Sequence, residues 1–89
     1  MRLQGKVAIV TGGGCGFGEG IATRFAVEGC KVLVADIEPE RAARVANAIT
    51  AAGGQAQAST ADVSRRSDFE RMVSEAKAAF GNLDLVVNN

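Results

Sequence analysis

The stretch Thr11-Gly12-Gly13-Gly14-Cys15-Gly16-Phe17-Gly18 constrains this chain more than any other. It follows an apolar run, Lys6-Val7-Ala8-Ile9-Val10, that reads as a buried strand. It precedes residues 19–28, which read as a helix. A strand, a glycine turn and a helix N-terminus in succession form an anion site. Glycine lets the backbone approach a phosphate closely, and the first-turn amides of a helix point outward without intrahelical partners. The helix dipole adds partial positive charge at the same place. The turn is therefore a candidate holder for the diphosphate of a dinucleotide. The plainer alternative is a tight strand-to-helix turn that binds nothing.

The rest of the chain repeats the alternation. The first helix places Ile21, Ala22, Phe25 and Ala26 on one face and stops near Gly29. A second strand runs from Cys30 through Ala35 and ends at Asp36. Pro39 suits the first turn of a second helix, with Ala42, Val45, Ala46 and Ile49 on its apolar face and Gly53-Gly54 at its end. Residues 55–61 alternate polar and small side chains, as an edge strand does. Ser64 or Ser67 is the expected cap of a third helix, and Ser67 with Glu70 has capping-box spacing. Phe69, Met72, Val73, Ala76 and Phe80 form that helix's apolar stripe, which Gly81 closes. Residues 83–89 read as a fourth strand.

Three consecutive strand–helix units imply parallel strands joined by right-handed crossovers. The expected class is a doubly wound α/β sheet of four strands in the order 3-2-1-4, with three helices. Strand order reverses between strands one and four, so a ligand belongs beside the glycine turn, beyond the carboxyl ends of the strands. Asp36 stands at the end of the second strand, 18 residues after Gly18. A carboxylate there can accept hydrogen bonds from both hydroxyls of an adenosine ribose and repels a 2′-phosphate. Its other reading is a cap for the next helix.

Composition narrows the alternatives. The 89 residues amount to at most one small domain, and 47% hydrophobic content suits a globular core. Ten basic and ten acidic residues cancel, and the basic ones are scattered. Neither a nucleic-acid stripe nor a basic membrane-surface helix is present. No apolar run reaches membrane-spanning length. The first strand begins so early that a signal peptide is not expected, and the expected compartment is the cytoplasm. Cys15 and Cys30 have no metal-ligand spacing and no histidine to help them, so no metal is expected. Cys30 reads as core. Cys15 is either a small tolerated side chain or a thiol activated by the helix N-terminus.

The spacing Thr11-Gly12-x-x-x-Gly16-x-Gly18 resembles the cofactor turn of the short-chain dehydrogenase/reductase family. The resemblance extends through Asp36, Asp62-Val63 and the phrase Phe80-Gly81-Asn82-Leu83-Asp84-Leu85-Val86-Val87-Asn88-Asn89. It is nearest to the bacterial branch of 3-oxoacyl carrier-protein reductases and sugar or alcohol dehydrogenases. It implies a Rossmann-type domain, here its N-terminal NAD-binding part over residues 1–89. Gly12, Cys15, Gly16, Phe17 and Gly18 would then meet the cofactor, with Asp36 and Ile37 at the adenosine ribose. Asp62 and Val63 would lie at the adenine ring and Asn89 near the ribose, while Asn88 ties the sheet together. Phe17 departs from the usual Ile or Leu. Neither Ile37 nor Cys15 is basic, as NADP-preferring relatives commonly are there, so NAD is the expected cofactor.

Family catalysis requires an Asn, a Ser and a Tyr-x-x-x-Lys pair beyond the fourth strand. This sequence has no tyrosine at all, so no catalytic residue is assigned and the 89 residues alone are expected to be inactive. The implied whole enzyme is an NAD-dependent oxidoreductase acting on an alcohol or ketone, commonly a homotetramer. The fourth strand is expected to leave an open apolar edge, and the sheet a partly bare face. Three other readings stand beside this one. They are a non-enzymatic nucleotide-binding module acting through a partner, a methyltransferase-type α/β domain, and a purely structural domain.

Overall fold

In a computed structural model, which describes residues 3–14 and 16–89, strands and helices alternate without exception. The order is β1 (Val7–Thr11), α1 (Gly16–Val27), β2 (Lys31–Asp36), α2 (Pro39–Ala51), β3 (Gln55–Thr60), α3 (Arg66–Phe80) and β4 (Leu85–Val87). The four strands pair in parallel in the order β3-β2-β1-β4. Thr11 stands opposite Ala35, Val10 opposite Val87, and Asp36 opposite Thr60. This is the doubly wound α/β arrangement that the strand–helix alternation predicts.

Position in the sheet explains strand composition. Every residue of β1 is buried, and β2 is buried from Val32 to Asp36. Central parallel strands carry helices on both faces, so they need continuous apolar sequence. The edge strand β3 alternates instead, with Ala56 and Ala58 turned to the core and Gln55 and Gln57 exposed.

The first two crossovers step outward from β1 to β3, and the third returns across the sheet to β4. With right-handed connections, α1 and α2 must lie on one face and α3 on the other. The core divides accordingly. Ala8, Val10, Val32 and Val34 join Ala22 of α1 and Val45 and Ile49 of α2. Val7, Ile9, Leu33 and Ala35 meet Met72 and Ala76 of α3. Each fully buried Ile9 or Leu33 side chain contributes about 1.5–3 kcal/mol of transfer free energy. Leu85 and Val87 face the first cluster, so Val86 points to the α3 face, where it remains 41% exposed. The expected bare patch lies there.

Several boundaries differ from the sequence reading. Helix α1 begins at Gly16, three residues before the expected start, so Gly16, Phe17 and Gly18 form its first turn. Strand β1 extends to Thr11, β2 runs Lys31–Asp36, and β4 is confined to Leu85–Val87. The expected serine caps of α3 are not made. Its N-cap is Arg65, with no side-chain cap hydrogen bond, and Ser67 already lies inside the helix. Asp68 reaches back instead to accept the Asp62 amide at 2.8 Å. Phe69, expected in the apolar stripe, is 36% exposed because Met72 and Ala76 take the sheet-facing positions. Pro39 does open α2, and Gly81, at φ +85°, closes α3.

Candidate nucleotide site

Thr11 delivers the chain from β1 into the glycine turn, at the point where strand order reverses. Gly12 and Gly16 have φ of +63° and +60°, a left-handed region that side chains with a Cβ rarely occupy. Gly18 is needed for a different reason. A methyl group there would overlap the Gly12 carbonyl and crowd Asn89 Nδ2, so the turn closes against α1 only with glycine at this position. Beside Gly16 an added Cβ would meet no atom of the described residues within 4 Å outside its own helix turn and chain neighbours. That open space lies at the first turn of α1, where backbone amides lack intrahelical acceptors.

The turn is fastened to three neighbouring elements. From β2, the Ala35 carbonyl accepts the Gly13 amide at 3.0 Å, and Asp36 Oδ2 accepts the Gly14 amide at 3.0 Å. From β4, the Thr11 hydroxyl lies 3.2 Å from the Val87 carbonyl and 3.1 Å from Asn88 Oδ1, and it accepts the Asn89 amide at 3.2 Å. Asn88 thus ties β1 to β4, as the family resemblance implies. From α2, Arg44 Nη2 donates to the Gly14 carbonyl at 3.0 Å.

Asp36 is 5% exposed. Its Oδ1 also accepts the Glu38 amide at 2.9 Å, just ahead of α2. The cap of α2 is Glu38 and makes no side-chain cap bond, so Asp36 holds the amide of the cap residue and does not cap the helix itself. A carboxylate offers about four acceptor positions. The Gly14 and Glu38 amides take one position on each oxygen.

The other expected site residues occupy different ground. Ile37 is exposed beyond β2, and Phe17 stands 87% exposed at the start of α1. Asp62 and Val63 lie one strand further along, in the loop after β3, and the Ala61 amide donating to the Asp36 carbonyl joins the two ends. Asp62 Oδ1 accepts the Ser64 amide at 3.0 Å and the Ser64 hydroxyl at 2.6 Å, which hold its carboxyl below the usual range. Asn89 lies against Gly12, its Nδ2 3.5 Å from the carbonyl. Cys15 falls outside the described residues. Burial and the nearby Asp84 charge push the Cys30 thiol up, and it stays in the core.

Sequence reasoning missed Arg44 and Arg71. Arg71 of α3 donates to the Thr60 carbonyl at 2.6 Å and pairs with Glu75 at 3.2 Å. Neither arginine belongs to a motif. Each reads as an ordinary solvent-facing helix charge until the crossover brings it over a strand end.

Comparison with known proteins places this geometry. A family profile described as short chain dehydrogenase matches residues 6–89. The 7alpha-hydroxysteroid dehydrogenase of Escherichia coli K12 is 39% identical over the whole chain, which covers 35% of that protein. Galactitol 2-dehydrogenase of Agrobacterium fabrum is 43% identical, again over the whole chain and 34% of its own length. A hydroxysteroid dehydrogenase crystal structure from Escherichia coli superposes with a TM-score of 0.95 at 39% identity, over 98% of this chain and 37% of that one. A solved 7 alpha-hydroxysteroid dehydrogenase complexed with NADH and 7-oxo glycochenodeoxycholic acid matches with the same TM-score, 0.95, over 98% of this chain and 34% of that one. The chain thus spans about a third of the length of the curated relatives it matches.

Proposed function

The chain belongs to the short-chain dehydrogenase family, and from that premise we propose that it is the NAD-binding N-terminal part of an oxidoreductase that interconverts an alcohol and a ketone. The observation that carries this reading is the meeting of the glycine turn, the buried Asp36 and Asn89 where strand order reverses. The relative solved with NADH supports it.

The residues fit the cofactor. Gly16 leaves open space beside the first turn of α1, where amides and helix dipole favour a diphosphate. Asp36 would receive the adenosine-ribose hydroxyls on its carboxylate oxygens. A 2′-phosphate would meet that carboxylate as a like charge, so NAD is preferred over NADP. Asp62 through its side chain and Val63 through its backbone would meet the adenine, and exposed Ile37 would lie beside Asp36 at the ribose. Asn89, against Gly12, would border the ribose. Phe17 would flank the nicotinamide end. Bound NAD supplies a hydride acceptor. This chain's part is to bind and orient it. Proton transfer would fall to residues outside the 89.

The test is to measure dissociation constants of the full natural polypeptide for NAD and NADP. Tighter NAD binding that Asp36→Ala weakens is the expected result. Tighter NADP binding, or an Asp36→Ala variant with unchanged NAD affinity, would overturn the assignment of Asp36. Alcohol-dependent NADH formation by the same polypeptide would support the oxidoreductase reading. NAD binding without turnover over a broad alcohol panel would favour a non-enzymatic module.

A further inference from the structure

Gly14 is held through both of its backbone polar groups. Its amide donates to Asp36 and its carbonyl accepts Arg44 Nη2 at 3.0 Å. The same guanidinium reaches Glu19 in the first turn of α1, with Nη2 3.2 Å from Oε1 and Nη1 3.4 Å from Oε2. The glycine turn and the first turn of α1, 30 and 25 residues away in sequence, therefore converge on one side chain of α2. Glu19 is the acidic residue at the end of α1 where a diphosphate would bind. Unpaired, its charge would oppose an anion at the very amides that attract one.

We propose that Arg44 is a positioning residue of the cofactor site, holding the Gly14 carbonyl and neutralising Glu19 so that the turn can accept a diphosphate. This rests on the reading of the turn as the NAD site. The planar fork of arginine matters because one group must serve a carbonyl and both carboxylate oxygens together. A lysine ammonium carries the charge without that geometry. The effect operates through Gly14 and Glu19, and Arg44 need not touch the cofactor.

The experiment compares NAD dissociation constants of the full natural polypeptide with its Arg44→Ala, Arg44→Lys and Arg44→Ala/Glu19→Gln variants, at low and high salt. Arg44→Ala should weaken NAD binding by about fivefold, the scale of one exposed ion pair. Arg44→Lys should fall between the two, which keeps the comparison open if the alanine variant folds poorly. Removing the Glu19 charge from the Arg44→Ala background should restore part of the affinity, which a purely structural role for Arg44 would not allow. The loss should also narrow at high salt, where exposed charges are screened. Wild-type NAD binding that Arg44→Ala retains, or a double variant no better than the single one, would overturn the role of Arg44 alone. No NAD binding by the wild-type polypeptide would overturn the reading beneath it as well.

Discussion

Two loops at the same end of the sheet are built on opposite principles. The turn after β1 is locked by residues remote in sequence. Gly14 is held by Asp36 and Arg44, Thr11 by Val87 and Asn88, and Gly12 touches Asn89. The loop after β3 is held largely by its neighbours, with Ser64 on Asp62, Asp62 on Asp68, and Arg71 on Thr60. Thr11, Gly13 and Gly14 are buried, whereas Val63, Ser64 and Arg65 are exposed. A loop closed by distant partners forms only when the whole sheet forms, so its geometry is as stable as the fold. A loop closed locally can open by itself, because opening it exposes little of the core. In the proposed cofactor site the first would serve as a fixed diphosphate cradle. The second would serve there as an adjustable wall for the adenine.

Gly18→Ala should show the strongest dependence on the tertiary lock. The added methyl overlaps a backbone carbonyl, which cannot swing aside like a side chain. Overpacking of this kind costs about 1–3 kcal/mol, and the expected value is at the upper end. NAD affinity should fall with it, because the turn must shift off α1. Thermal or denaturant unfolding together with NAD titration checks both. Unchanged stability would show that the turn is not fastened as described.

Asp36→Ala comes next. It leaves the Gly14 and Glu38 amides without their acceptor, one of them buried. Leaving a buried donor unsatisfied costs about 1–3 kcal/mol. Asp36→Asn, which keeps one acceptor oxygen, should lose less. Denaturant midpoints of the two variants measure the difference.

How much of this was legible in the sequence follows the same division. The apolar face of α2 and the glycine turn were readable because each has a local cause, periodicity or glycine at a fixed spacing, and the strand order followed from the topology that successive strand–helix units impose. The face of α2 was read residue by residue, and Ala42, Val45, Ala46 and Ile49 are all buried. The start of α3 was misread for a physical reason. Local rules look for a cap at the helix's own first residue, and Ser64 and Ser67 satisfy that pattern. The chain instead turns so that Asp68, inside the helix, reaches the Asp62 amide. Arg44 was invisible for the opposite reason. Its acceptor at Gly14 lies 30 residues away, and only the completed crossover sets α2 beside the turn.

Asp68→Ala sharpens the comparison from the other side. It removes the acceptor of the Asp62 amide and weakens the Arg71 contact, 3.8 Å from Asp68 in this partly exposed cluster. The expected cost is about 1 kcal/mol or less, the usual net worth of one such hydrogen bond. More telling is where the change falls. Amide exchange should quicken at Asp62 and its neighbours while β1 and β2 keep their protection. A global loss equal to that of Asp36→Ala would mean that the two loops are not built differently after all.

The smallest effect is expected at Asp62 itself. Its carboxyl is held below the ordinary value of 3.8, chiefly by the hydrogen bond from the Ser64 hydroxyl and then by the Ser64 amide. A carboxyl whose pKa is lower folded than unfolded contributes stability above its unfolded value and loses it as pH falls through its folded one. The contribution should therefore be complete at neutral pH and fade only below about pH 4. Because the group lies in a surface loop flanked by exposed Val63, Ser64 and Arg65, the loop should loosen in acid without unfolding the sheet. Carboxyl titration by NMR should place Asp62 below 3.8 in the wild-type protein and return it toward that value in Ser64→Ala. If acid instead released the Gly14 amide along with Ser64, the two loops would be one cooperative unit, and the distinction between a fixed cradle and an adjustable wall would fail.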